Sequence, residues 1–170
     1  MKLKIGLFVI ISFFGLVLFS FSSGKKMKAQ ITTLIIVRHA EKNNETDTST
    51  LSSAGTERSL KLAQLLVNTE LAAIYATPFI RTHHTAKPTA DQHYLKIQDY
   101  KPHEMSEIEN IVLVNYGQII LIVGHSNTIP SIVNYYKGTS FENLSSYNDV
   151  FVLSISNSKL SSNSLVHFYY

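Results

Sequence analysis

Residues 119–123 are five consecutive aliphatic side chains, Ile-Ile-Leu-Ile-Val, closed by Gly124 and His125. So short a run reads as a strand, and a strand with no polar residue on either face must be covered on both sides. Strands of that kind belong to parallel sheets sandwiched between helices, so this one segment selects an α/β architecture. The rest of the chain follows the same alternation. Residues 33–37 are a β-branched run ending at Arg38-His39, followed by a polar loop over 41–50. Ser52 offers an N-cap for a helix reaching about Asn68, with Leu60, Leu62, Ala63, Leu65, Leu66 and Val67 as its apolar face. A short strand over 72–76 comes next, and Thr77-Pro78 predicts a capped helix from there to about His93, with Arg81 in its first turn.

Beyond it the pattern predicts a third strand over 95–98 and a helix over 104–116. Asn127 caps a further helix to about Tyr136, ended by Gly138. Residues 150–155 and 165–169 flank a Ser/Asn-rich turn and read as an antiparallel hairpin at a sheet edge. The expected fold is α/β, with a mostly parallel, doubly wound sheet and a C-terminal antiparallel edge hairpin.

Of the 170 residues, 45% are apolar and 16% charged, which suits one core-burying catalytic domain. The net charge of +3 overstates its basicity, because Lys2, Lys4, Lys25, Lys26 and Lys28 all precede the first strand. The body is then near neutral, and no nucleic-acid surface is expected. Lys2 and Lys4 introduce an unbroken apolar run over 5–21 that gives way to Ser22, Ser23, Gly24 and a lysine cluster, the pattern of an export signal. The expected division is residues 1–29 as a signal peptide or N-terminal membrane anchor and residues 30–170 as the catalytic domain. Localisation outside the cytoplasm follows: periplasmic, secreted or membrane-anchored, with membrane contact only through an uncleaved anchor. Absence of cysteine excludes disulfides, thiolate chemistry and Cys-ligated metal.

Parallel sheets bind ligands at the carboxyl ends of their strands. Arg38 and His39 follow the first strand, Thr77 and Arg81 the second, and Gly124 and His125 the fourth. Hydrolysis of a phosphate monoester needs charge neutralisation, an in-line nucleophile and a proton for the leaving oxygen. Arg38 and Arg81 supply planar forks that bind phosphate oxygens bidentately. Their charges disfavour a neighbouring imidazolium, which keeps His39 ready to attack. His125, at a helix start, suits a stabiliser of the transferring phosphoryl group, and Ser126 adds a donor there. His83 and His84 read as solvated residues, and His93, His103 and His167 as structural ones.

These segments resemble the histidine phosphatase superfamily, the phosphoglycerate-mutase-like proteins. The resemblance rests on Ile35-Ile36-Val37-Arg38-His39-Ala40-Glu41-Lys42, Leu51-Ser52-Ser53-Ala54-Gly55, Tyr75-Ala76-Thr77-Pro78 with Arg81 and Thr85-Ala86, and Val123-Gly124-His125-Ser126-Asn127-Thr128, in that order. It implies a three-layer α/β sandwich and a metal-independent phosphate monoester hydrolase that passes through a phosphohistidine on His39, with no cofactor. A small phosphorylated substrate is the implied partner. Two departures stand out. Ala40 replaces the usual glycine, and Ser126 occupies the place where acid-phosphatase members carry an aspartate, while the insertion that brings mutase-like members a glutamate is missing. Glu104 is the first choice for the acid, ahead of Asp99, Glu41 and Glu107. A protein phosphohistidine phosphatase and a non-catalytic phosphate-ligand binder are the rival readings.

Overall fold

The computed structural model describes residues 30–156 and 163–170. The expected leader over 1–29 and most of the Ser/Asn-rich turn lie outside the described residues. No described helix is long and apolar enough to cross a membrane. The elements in chain order are β1 (Thr32–Arg38), α1 (Ser53–Leu66), β2 (Leu71–Ala76), α2 (Ile80–Gln92), β3 (Ile97–Asp99), α3 (Met105–Val114), β4 (Ile119–Gly124), α4 (Thr128–Lys137), β5 (Asp149–Ile155) and β6 (Ser164–Tyr169).

They build one six-stranded sheet in the order β3-β2-β4-β1-β5-β6. β4 runs parallel between β1 and β2, β3 is parallel to β2, and β5 and β6 close the other edge as an antiparallel pair. Because the chain steps one way from β1 to β3 and then reverses, crossovers of a single hand put α1 and α2 on one face and α3 on the other, where α4 joins it. The two cores show that division. Leu62 and Leu66 of α1 and Ala86 and Ala90 of α2 pack with Ile35, Val37, Leu121 and Val123. Ile108 and Ile111 of α3 and Ile129, Ile132 and Val133 of α4 pack with Leu34, Ile36, Ile120 and Ile122. Alternate residues of β1 and β4 thus enter opposite cores, which is why neither strand alternates apolar with polar.

Local chemistry differs from the sequence expectation at three points. Leu62, Ala63 and Leu66 are buried in α1 as expected, whereas Leu60, Leu65 and Val67 are exposed. Those six apolar residues span more arc than one face of a 3.6-residue helix, and the sheet covers only one. Thr77-Pro78 does not cap α2, which begins at Ile80 with Phe79 as an N-cap that makes no side-chain bond. Asn127 likewise makes no capping bond for α4. In both places a threonine has other work: the hydroxyl of Thr82 donates to the carbonyls of Thr77 and Phe79, and that of Thr128 accepts the His125 N–H at 2.9 Å. Ser52 does cap α1, accepting from the Gly55 N–H at 3.1 Å, and Gly138 ends α4 in the left-handed conformation with φ of 68°.

The start of α1 presses directly on the segment after β1. Ser52 N–H donates to the Glu41 carbonyl at 2.9 Å, and Lys42 bridges to Leu51. A Cβ on Gly55 would lie 2.1 Å from that carbonyl oxygen, a backbone atom that no rotamer change can move aside. Gly55→Ala is therefore expected to destabilise the fold by about 1–3 kcal/mol, the usual cost of overpacking, read as a lower urea midpoint at unchanged slope.

Candidate active site

Placing β4 between β1 and β2 sets three strand ends side by side. Arg38 is in register with Gly124. Just beyond, His39 N–H donates to the Gly124 carbonyl at 2.9 Å and Thr77 N–H to the Val123 carbonyl at 3.3 Å. His39, Thr77 and His125 therefore leave the sheet at one level. A second tie fixes the arginine of α2: Ala40 N–H donates to the Thr85 hydroxyl at 2.9 Å, and that hydroxyl donates to the Arg81 carbonyl at 2.7 Å. Above these ends lies an open cleft of about 290 Å³ whose lining includes Arg38, His39, Lys42, Arg81, His125 and Ser126.

His39 is 4% exposed, and its Nδ1 lies 2.8 Å from the Ala40 carbonyl oxygen. A carbonyl can only accept, so Nδ1 carries the proton and Nε2 keeps its lone pair. Burial first, then the charges of Arg38, Arg81 and Lys42, push this imidazole down to about 4, against the opposing pull of the Ala40 bond. At neutral pH the ring is uncharged, of fixed tautomer, with a free lone pair on Nε2.

The two arginines are held alike. Arg38 donates through Nη1 to the carbonyls of Leu144 and Ser146 at 3.2 and 3.1 Å, and its guanidinium lies 3.9 Å from the Tyr147 ring centroid. Arg81, 8% exposed, donates through Nη1 to the Asp47 carbonyl at 3.0 Å and lies 4.4 Å from the Phe79 ring centroid. In each, the Nε–H is buried with no protein acceptor among the described residues. A buried donor left unpaired is costly, and an anion in the cleft is the ligand that would relieve it. The carbonyls that grip Arg38 are themselves braced, since Asp149 accepts from the Ser146 hydroxyl and lies 2.8 Å from His167 Nε2.

His125 meets His39 edge-on at a centroid separation of 5.3 Å and Phe79 at 5.0 Å. It sits in the turn ahead of α4 and not at the first helical position, and its own N–H is already bonded to Thr128. Its contribution to an anion is thus the side chain. The Nε2 lies 2.8 Å from the Thr77 hydroxyl, which itself donates to the Thr82 hydroxyl at 3.2 Å. Burial foremost, then repulsion from His39, Arg81 and Arg38, lowers this imidazole to about 3.

A family model described as the histidine phosphatase superfamily (branch 1) matches residues 34–102, which contain Arg38, His39 and Arg81. Over that stretch the chain is similar to the histidine phosphatase superfamily. The matched stretch ends before His125, and the fold supplies that second histidine. Among solved structures, the protein histidine phosphatase SixA complexed with tungstate superposes with a TM-score of 0.68 at 12% identity, over 81% of this chain and 96% of that one. YhfR of Bacillus stearothermophilus gives 0.65 at 18% identity, over 74% and 92%. A mycobacterial glucosyl-3-phosphoglycerate phosphatase in complex with VO3 gives 0.63 at 10% identity, over 81% and 98%. At such identities the likeness speaks for the fold. No curated protein matches the sequence.

The four expected acids do not enter the cleft lining. Glu104 precedes α3 and its carboxylate pairs with Lys101 at 3.3 Å. Asp99 pairs with His83 at 2.7 Å. Glu41 takes the Arg58 guanidinium, which holds its carboxyl below the usual range, and Glu107 accepts the Lys101 N–H at 3.0 Å. Arg38, His39, Arg81, His125 and Ser126 are brought together. Cleft groups with other readings or none in the sequence include His103, read as structural, Asn127, read as a cap, Phe79, Pro102, and Lys42, which pairs with Glu45 at 2.6 Å. Of the remaining histidines, His93 bonds the Leu66 carbonyl at 3.1 Å and ties α2 to α1. Among the described residues no group of three or more His, Asp or Glu is arranged to hold a metal ion.

Both site imidazoles titrate below the unfolded value near 6.5. The unfolded chain therefore binds more protons than the folded one below that pH, and stability must fall as pH drops from about 6.5 through about 4. For His39 alone the loss reaches up to about 3 kcal/mol across the window. Urea unfolding at stepped pH should show a shallower acid decline for His39→Gln than for the wild type.

Proposed function

We propose that this phosphatase hydrolyses phosphate monoesters without a metal, through a phosphohistidine formed on His39. The bond from His39 Nδ1 to the Ala40 carbonyl carries the reading, because it leaves Nε2 as the attacking atom in a cleft flanked by two anchored guanidinium groups. The unpaired Nε–H groups of Arg38 and Arg81 take phosphoryl oxygens, with Lys42 adding charge and His125 and Ser126 further donors. Nε2 attacks phosphorus in line as the bond to the ester oxygen breaks, and that oxygen leaves with a proton. Water then attacks the phosphohistidine, the N–P bond breaks, and the lone pair returns to Nε2. In both steps the cations stabilise charge on the same three phosphoryl oxygens without reorganising.

A phosphorylated histidine of another protein is the second reading of the substrate. The observation in its favour is that none of the four candidate carboxylates lines the cleft. An imidazole leaving group asks less of an acid than an alkoxide does. A domain working outside the cytoplasm, as the 1–29 pattern suggests, argues instead for small phosphate esters.

The test is phosphate release from an aryl phosphate by the full chain. Turnover is expected to persist in excess chelator, and His39→Ala should lower kcat by about 10³-fold or more. Rapid quench with labelled substrate should trap an acid-labile phosphoenzyme in the wild type alone. Vanadate binding without turnover or phosphoenzyme would instead show a phosphate binder.

A further inference from the structure

An alkyl ester needs a proton on its leaving oxygen, and the cleft offers few groups able to give one. Arg38 and Arg81 do not release protons in proteins. His39 has its single proton committed to the Ala40 carbonyl, and the ammonium of Lys42 is engaged by Glu45 at 2.6 Å. His125 is bonded to Thr77 and held neutral by its burial. Ser126, Asn127 and Thr128 carry no acidic proton. No carboxylate lines the cleft, and that of Asp47, 4.0 Å from Arg81 Nη2, points out to solvent and is 90% exposed.

His103 remains. It stands in the turn between β3 and α3, exposed to solvent on one side and lining the cleft on the other. The turn is anchored: Tyr100 is fully buried, its N–H donates to the Ala76 carbonyl at 3.1 Å, and Glu104 N–H closes back on the Lys101 carbonyl at 3.4 Å. The rim imidazole lines the same cleft as His39 and His125. Imidazole is also a side chain that can serve first as general acid and then as general base in one cycle.

Resting on the phosphohistidine reading above, we propose that His103 is the general acid and base of this phosphatase. As Nε2 of His39 bonds to phosphorus and the P–O bond breaks, the imidazolium of His103 passes its proton to the leaving oxygen. In the second half, neutral His103 takes a proton from the attacking water while the N–P bond breaks and its electron pair returns to His39. His103 ends reprotonated, so the cycle balances with water as the sole co-reactant.

The experiment compares the full-length wild type with His103→Gln across esters whose leaving groups run from nitrophenol to a simple alcohol. The substitution is expected to cost about 10²-fold or more in kcat/KM on the alkyl ester and far less on the nitrophenyl ester, steepening the dependence on leaving-group basicity. A structural role would lower both equally, and that result overturns the proposal. So would an undiminished rate on the alkyl ester, a wild type that turns over only the activated ester, or steepening in Glu104→Gln in place of His103→Gln. Failure of the underlying reading looks different: no phosphoenzyme and no turnover of any ester by the wild type.

Discussion

The hydrogen bond from His39 N–H to the Gly124 carbonyl, just past the last paired residues of the β1–β4 ladder, is the constraint on which the site depends. It sets His39 and His125 at one height above the sheet, at the ends of adjacent strands though 86 residues apart in sequence, from 39 to 125. The ladder is dependable because β1 and β4 are buried on both faces and their alternate side chains belong to different cores. A one-residue slip would exchange those cores wholesale. Register here follows from packing, and catalysis inherits it.

Burying guanidinium groups is expensive, and the fold meets that cost only in part. Nη1 of Arg38 is given two carbonyls, that of Arg81 one, and each planar head is laid against an aromatic ring. The remaining Nε–H groups are unpaired. A site fully satisfied by protein would have no reason to bind an anion; one with no support would collapse or admit water. Partial satisfaction leaves fixed positive charge at the wall of the cleft, the condition for stabilising charge without rearrangement. The brace behind it extends through Ser146 and Asp149 to His167, whose ring stacks on Phe151 at 4.2 Å in the opposite core from Arg81.

Much of this was legible in the residues. The order of strands and helices, the caps at Ser52 and Gly138, and the convergence of Arg38, His39, Arg81 and His125 all followed from periodicity and from where parallel sheets bind ligands. Thr77 was misread for a physical reason. A threonine before proline is a strong local helix signal, but its hydroxyl was claimed by His125 and Thr82, partners 48 and 5 residues away. Thr85 is the opposite case, a motif residue whose purpose shows only when its hydroxyl is seen joining Ala40 to the Arg81 carbonyl. Spacing could not have placed His103, since a turn residue's neighbours depend on which loop faces it.

The sequence by itself determined the layers, the mostly parallel sheet and which histidines and arginines meet at the strand ends, because burial pattern and charge are properties of short segments. Tertiary structure decided the tautomer of His39, the free edges of the guanidinium groups and the exclusion of Glu104, Asp99, Glu41 and Glu107 from the cleft. Each of those depends on which partner reaches a given atom first. Carboxylates on β3 and around α3 were drawn to His83 and to Lys101, and Glu41 to Arg58. Such competition is settled by distances of a few ångströms between segments far apart in the chain.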